Sequence, residues 1–166
     1  VVTGGVRDIG RAVSLKLAAE GAKVVVNYHG SHDLAQETLA EIEAAGGQAI
    51  LHKGDMTSPA DVEGLVAKTI ETFGADIDIL VNVAGGLVAR KTIDEMDLDF
   101  FNHVIQLNLN STFLITKAVV PHMSEGSSII YFASQAGRDG GGPGASAYAT
   151  SKGAVMTFTR SCLLYT

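Results

Sequence analysis

The chain has one cysteine, Cys162, in 166 residues. An internal disulfide is therefore excluded, and a reducing, cytoplasmic location is expected. It also lacks any basic run: 12 Lys and Arg against 18 Asp and Glu give a net charge of -6, with a pI near 5.2. Nucleic-acid binding needs cations clustered against phosphates, so no nucleic-acid partner is expected. No apolar stretch approaches the roughly 18 residues of a membrane helix. The longest, Val24-Val25-Val26 and Ile129-Ile130-Tyr131-Phe132-Ala133, are strand-sized, and no membrane is expected. The five histidines are not spaced as metal ligands, and no metal is expected. An initiator methionine is missing too, and Val1 already lies in an apolar, strand-like segment. Residues upstream are expected to be absent, and with them any targeting peptide.

What remains is a composition able to bury a core, 46% hydrophobic and 18% charged, on a chain long enough for one domain over residues 1–166. Short β-branched runs alternate with longer helical patterns. Strands are predicted at Val1-Val2, Lys23 to Tyr28, Gln48 to His52, Ile77 to Val81 and Ser127 to Ser134. Helices are predicted near 9–20, 32–45, 59–73 and 97–123, and from about 146 onward. Strands joined by crossover helices imply an α/β fold, a doubly wound parallel sheet of the Rossmann type with helices on both faces. Gly21 and Gly46-Gly47 act as helix stops, and Ser58-Pro59 reads as a cap followed by proline at the first helical position. Gly140-Gly141-Gly142-Pro143-Gly144 is either a loose surface turn or the edge of a cleft.

Along the helix at 97–123, Phe101, Val104, Ile105, Ile115 and Val119 form one stripe for the sheet. Phe100, Leu107, Leu114 and Val120 add apolar surface on other sides. A helix apolar on more than one side is buried twice. Its second face is expected to meet another subunit, or else to lie under segments that the chain lacks.

Three groups of residues carry chemistry. The first is the turn after the opening strand, Thr3-Gly4-Gly5-Val6-Arg7-Asp8-Ile9-Gly10. Glycine there lets main-chain N–H groups approach a pyrophosphate at the positive end of the following helix. Asp8 is expected to cap that helix through its carboxylate, with Arg7 and Arg11 offsetting its charge. The second is the end of the next strand, Asn27-Tyr28-His29, where an NAD site normally holds the ribose with Asp or Glu. No acid occurs between Lys23 and His32, so a 2′-phosphate would not be repelled and Arg7 can pair with it. NADP(H) is thus favoured over NAD(H). The third is Tyr148-Ala149-Thr150-Ser151-Lys152, whose i, i+4 spacing sets Tyr148 and Lys152 on one helical face. Bringing a tyrosine from its ordinary pKa of about 10 to about 7 takes roughly 4 kcal/mol of phenolate stabilisation, and an adjacent ammonium in a partly desolvated cleft is expected to supply much of it.

These groups occur together and in this order in the short-chain dehydrogenase/reductase family, which the chain resembles over nearly its whole length. Residues 3–10 match the family's Thr-Gly-x-x-x-Gly-x-Gly turn except at Asp8. Asn82-Val83-Ala84-Gly85 matches its Asn-Asn-Ala-Gly signature except at Val83. The resemblance implies that Thr3, Gly4, Gly5, Arg7, Asp8, Ile9, Gly10, Asn27, Tyr28, Asp55, Met56, Asn82, Ala84, Gly85, Tyr148 and Lys152 hold the cofactor, with Asp55 of Gly54-Asp55-Met56 at the adenine ring. It also implies a catalytic set: Asn108 helping to hold a relay water, Ser134 orienting substrate, Tyr148 as acid/base and Lys152 as its partner and the holder of the nicotinamide ribose.

By the same resemblance the chain is a C-terminally incomplete part of a protein of about 250 residues, most like 3-oxoacyl-acyl-carrier-protein reductases. The end, "RSCLLYT", departs from the family pattern after Ser161. The expected reaction is reduction of a carbonyl to a secondary alcohol, on a 3-oxoacyl thioester or a related ketone. A sugar or polyol dehydrogenase and a non-catalytic nucleotide-binding protein stand as alternatives. A homo-oligomer, dimer or tetramer, is expected through the helices at 97–123 and 146–162.

Overall fold

A computed structural model describes residues 1–162. In chain order the elements are β1 (Val2–Thr3), α1 (Asp8–Ala19), β2 (Lys23–Tyr28), α2 (His32–Ala44), β3 (Gln48–Lys53), α3 (Pro59–Phe73) and β4 (Ile79–Asn82). There follow α4 (Leu98–Ile105), a π-helical turn (Gln106–Asn110), α5 (Ser111–Val119), a 3-10 turn (Val120–His122), β5 (Ser128–Tyr131), α6 (Ala136–Asp139) and α7 (Ser146–Cys162). The final four residues of the tail singled out above, 163–166, lie outside the described residues.

The five strands form one sheet in the order β3-β2-β1-β4-β5, with β1 parallel to both β2 and β4, and β2 parallel to β3. Successive strands run outward from β1 to β3, and the chain then returns to the other side of β1. That reversal puts a crevice outside the C-terminal ends of β1 and β4, where open parallel sheets bind ligands. The expectation of a doubly wound parallel α/β sheet holds.

The chain forms two compact units. The first comprises residues 1–84 and 114–130, and its core joins Val25 of β2, Leu65 and Val66 of α3, Leu80 of β4, and Ile115 and Val119 of α5. The second comprises residues 85–113 and 131–162. In it α4, the π turn and α6 pack against α7.

Local chemistry explains most element ends. The Ser58 hydroxyl accepts a bond from the Asp61 N–H at 3.3 Å, with Pro59 in the first turn, so α3 starts where a cap and a proline predict. The helix predicted over 97–123 is present and runs without a break from Leu98 to His122, as α4, the π turn, α5 and a closing 3-10 turn. Asn108 sits in the π turn with its side chain bonded elsewhere, and Pro121 lies within the 3-10 turn that ends the run. Of the predicted stripe, Val104, Ile115 and Val119 are fully buried, whereas Phe101 and Ile105 are only partly so. On other sides Phe113 and Val120 remain 45% and 47% exposed. β5 is shorter than predicted, because the chain leaves the strand at Phe132 and turns into α6, a four-residue helix that no periodicity announces.

His52 of β3 buries its Nε2 without a hydrogen-bond partner among the described residues. Burial outweighs the opposing pull of Asp61 and holds its pKa below 6.5. The unfolded chain then binds the proton more readily, so the stability this group contributes is present above pH 6.5 and is lost as pH falls from there through the folded pKa. His52→Gln is expected to flatten the decline between pH 7.5 and 5.5 in urea unfolding, by at most about 1.4 kcal/mol per pH unit. An unchanged slope would show that His52 does not titrate differently on folding.

Candidate active site

The turn after β1 is built by close approach. The Gly4 N–H donates to Asn27 Oδ1 at 3.2 Å, and the Gly5 N–H to the Asn27 carbonyl at 2.8 Å. Helix α1 sits directly on the turn, because a Cβ on Gly10 would lie 2.1 Å from the Gly4 carbonyl oxygen. Ser14 Oγ, one turn further along, donates to the Gly5 carbonyl at 2.9 Å. Across the crevice Thr3 Oγ1 accepts from the N–H groups of Val83 at 3.1 Å and Ala84 at 3.2 Å. The buried Thr3 hydroxyl thus ties the ends of β1 and β4 together.

Asn27 and Tyr28 do not present free side chains at the end of β2. Besides receiving Gly4, the Asn27 amide donates to the carbonyls of His52 at 3.3 Å and Gly54 at 2.9 Å. The buried Tyr28 hydroxyl lies 2.8 Å from His32 Nδ1. Both residues fix the shape of the strand end, and the strand end itself carries no carboxylate. Met56 is likewise a core residue, packed with Val62 and Leu65, so only its main chain is available to a ligand. Asp55 Oδ1 accepts from the Thr57 N–H at 2.8 Å and from its hydroxyl at 2.9 Å.

The expected cap at Asp8 is absent. Asp8 has φ +45°, in the left-handed region, and Arg7 takes the extended cap conformation with no side-chain bond. A residue accepts helix N–H groups from the extended cap position, which Asp8 does not occupy. The expected compensation by Arg11 fails as well, because its guanidinium pairs with Glu41. Arg7 and Ile9 are exposed, and Arg7 forms no ion pair among the described residues.

Asn82, at the end of β4, is buried, and its Nδ2 has no hydrogen-bond partner among the described residues. An orphaned amide donor costs roughly 1–3 kcal/mol, so such a group marks a position where a polar ligand atom is accommodated. Together with the glycine turn set against the start of α1, this fits a dinucleotide with its pyrophosphate at the turn.

The second unit gathers the reactive side chains. Gly85 has φ +149°, and a Cβ there would lie 2.6 Å from Asn108 Oδ1 and 3.4 Å from Lys152 Nζ. Asn108 is completely buried. Its Oδ1 accepts from the Gly86 N–H at 2.9 Å, and its Nδ2 donates to the carbonyls of Gly86 at 2.9 Å and Val104 at 3.0 Å. Its oxygen and nitrogen are thus engaged in clamping the Gly85-Gly86 segment.

Lys152 and Tyr148 share a face of α7, with Lys152 Nζ 5.9 Å from the Tyr148 ring centroid. Lys152 is 6% exposed, donates to the Phe132 carbonyl at 2.7 Å and has no carboxylate partner among the described residues. Burial lowers its pKa from 10.5. A buried ammonium without a counter-ion is held at a cost to stability, the usual mark of a functional group. Ser134 Oγ accepts from the Ala136 N–H at 3.2 Å, which opens α6 and leaves its proton free to donate. Helix α6 in turn presses on α7 where a Cβ on Gly137 would lie 2.7 Å from the Gly153 nitrogen, so Ser134 is tied to the helix carrying Tyr148 and Lys152. The Phe132 carbonyl was missed in the sequence, since a main-chain acceptor leaves no mark in residue type.

Comparison with known proteins agrees with this geometry. A family model described as short chain dehydrogenase matches residues 1–164. The chain is 42% identical over 164 residues to a 3-oxoacyl-[acyl-carrier-protein] reductase of Synechocystis sp., covering 97% of the chain and 65% of that protein. It is 39% identical over 161 residues to the uncharacterized oxidoreductase YhxC of Bacillus subtilis, covering 97% and 56%. The chain thus spans between half and two thirds of the length of these relatives. Among solved structures, an NADH-dependent reductase A1-R′ complexed with NAD superposes with a TM-score of 0.92 at 34% identity, covering 98% of this chain and 70% of that one. A short chain dehydrogenase from Burkholderia cenocepacia in complex with NADP superposes with a TM-score of 0.91 at 35% identity, covering 97% and 65%. With its parallel sheet, its glycine turn and its Tyr148–Lys152 pair all accounted for, the chain belongs to the short-chain dehydrogenase/reductase family.

Proposed function

We propose that this chain carries the cofactor site and proton-transfer set of an NADP(H)-dependent reductase that converts a carbonyl, in a 3-oxoacyl thioester or related ketone, to a secondary alcohol. The observation that carries this reading is the buried Lys152 ammonium beside Tyr148, without a carboxylate to neutralise it. When bound, the nicotinamide supplies a hydride to the carbonyl carbon. Tyr148 gives its hydroxyl proton to the carbonyl oxygen as negative charge develops there, and Lys152 stabilises the phenolate left behind. Ser134 donates a hydrogen bond to the same oxygen. Asn108 acts one step back, holding Gly85 and Gly86 in place beside Lys152.

The pyrophosphate is assigned to the turn Gly4–Gly10 and the adenosine end to Asp55 and Asn82. Asn27, Tyr28 and Met56 contribute by shaping that surface, Thr3 and Ala84 by joining the two strand ends. Relatives in complex with NAD and with NADP both exist, so the preference for NADP(H) rests on this chain's own residues: no acid at the end of β2, and an exposed Arg7. The same reading makes the protein a cytoplasmic homo-oligomer, dimer or tetramer, supported by the exposed Phe113 and Val120.

The test is to assay the full-length protein with NADPH and NADH against a 3-oxoacyl thioester, simple ketones and sugar lactones. Faster turnover of the thioester or ketones with NADPH is expected. Turnover of lactones alone would favour the sugar-dehydrogenase alternative, and failure to bind either cofactor by calorimetry would overturn the reading.

Asp8 offers a sharper check. Its φ of +45° is one that L-residues adopt at a penalty of roughly 1–2 kcal/mol and glycine adopts freely. Its charge stands on the pyrophosphate turn without a cap bond or a neutralising Arg11. Asp8→Gly is expected to tighten NADPH binding up to about tenfold, about 1.4 kcal/mol, without lowering the melting temperature. Weaker binding would show that the aspartate supports the turn.

A further inference from the structure

The tract Gly140–Gly144 is held in place. Gly140, Gly141, Gly142 and Gly144 all have positive φ, between 69° and 87°. Such a run has little conformational preference of its own, because glycine visits this region as readily as others. Its shape must come from outside. The Arg90 guanidinium supplies two anchors, donating through Nη1 to the carbonyls of Pro143 at 2.7 Å and Gly141 at 3.2 Å. The next residue adds a third, the Lys91 N–H donating to the Gly144 carbonyl at 3.1 Å. The backbones meet so closely that a Cβ on Gly144 would lie 2.9 Å from Arg90 Cβ. Within the tract, Asp139 Oδ1 accepts from the Gly141 N–H at 2.9 Å.

Bonds from an exposed arginine are ordinarily worth little. These have a measurable consequence in the backbone that leads to them. The Ala89 N–H donates to the Leu87 carbonyl at 2.9 Å across Val88, whose φ is +65°. That is a γ-turn of the strained hand, centred on a β-branched residue that is 51% exposed, so no burial of Val88 holds it. Strain of this kind persists only where both flanks are fixed. One flank is Gly86, clamped through its N–H and carbonyl by Asn108, and the other is Arg90 on the glycine tract. A continuous path of contacts therefore runs from Asn108 through Gly86, the Val88 turn and Arg90 to Gly144. Beyond Gly144 the chain passes through the buried Ala145 and Ala147 directly to Tyr148.

We infer that Arg90 is a positioning residue: by holding the carbonyls of Gly141 and Pro143 it fixes the loop that delivers Tyr148 to its substrate. The inference rests on the reading of Tyr148 as proton donor. In the full-length protein, Arg90→Met keeps the apolar stem and removes the guanidinium. It is expected to raise hydrogen exchange of the amides at 140–145 and at Ala89, with no change in α1. It is also expected to lower kcat/KM for the carbonyl substrate roughly tenfold, as loosened positioning does, with KM for NADPH within twofold of wild type. Arg90→Lys, able to reach one carbonyl, is expected to fall between. Exchange at 140–145 equal to wild type would overturn the inference whether or not the protein is a reductase. Raised exchange with unchanged KM and kcat would overturn it too, because the loop would then not serve the reaction. Should wild type reduce no carbonyl at all, the proposed function fails, and the exchange arm still decides whether Arg90 holds the loop.

Discussion

Replacing Tyr148 with phenylalanine is expected to lower kcat by on the order of a thousandfold, while leaving the Kd for NADPH within twofold of wild type. The substitution removes one oxygen from a half-buried ring and leaves the packing of α7 intact, since Ala147, Ala149, Ser151 and Lys152 supply its buried face. On the proposed function, what is lost is the proton that meets the developing alkoxide. A positioned general acid contributes about 10²–10⁴ in rate, so a thousandfold loss, about 4 kcal/mol, is the size this role demands. Steady-state rates with isothermal titration of NADPH separate the two quantities. A variant turning over at the wild-type rate would remove Tyr148 from the reaction, and one that lost NADPH affinity in parallel would give it a binding role instead.

The second large effect is expected at Gly10. A methyl group there would stand 2.1 Å from the Gly4 oxygen, 2.9 Å from its carbonyl carbon and 3.1 Å from Gly5 Cα. All three are backbone atoms, so no side chain can swing aside. Helix α1 is also tied to the turn by the buried Ser14 hydroxyl, and the two must separate by roughly 1 Å or more to admit the methyl. Gly10→Ala is expected to cost about 1–3 kcal/mol of stability in urea unfolding. It is expected to weaken NADPH binding about a hundredfold, because main-chain donors displaced by that much no longer meet the pyrophosphate. A stable variant with wild-type affinity would show that the cofactor does not use this turn.

The features legible in the sequence were those decided by local chemistry. Ser58 and Pro59 fix the start of α3, the β-branched run at 23–28 is β2 from end to end, and the spacing of Tyr148 and Lys152 places them on one helical face. Features decided by distant partners were not legible. Asn108 offers a polar amide in sequence, and nothing nearby in the chain announces that its partner is Gly86, 22 positions away. Asn27 stands where a ribose contact is expected, and its side chain instead joins Gly4 to the carbonyls of His52 and Gly54. Asp8 invited a capping role through its residue type, but the backbone gave the cap position to Arg7. The glycine tract read equally well as a loose turn, because the arginine that shapes it lies some 50 residues earlier. In each case residue type identified the chemistry available, and long-range hydrogen bonding decided its use.

The proposed function requires that hydride pass from NADPH to a carbonyl carbon. The most direct measurement supplies the full-length protein with NADPH carrying deuterium at the transferable position of nicotinamide C4, together with a 3-oxoacyl thioester, and examines the product by mass spectrometry and NMR. One deuterium on the carbinol carbon for each NADPH consumed is the predicted result. NADPH oxidised with no deuterium in the alcohol, or no alcohol formed from any carbonyl offered, would contradict it.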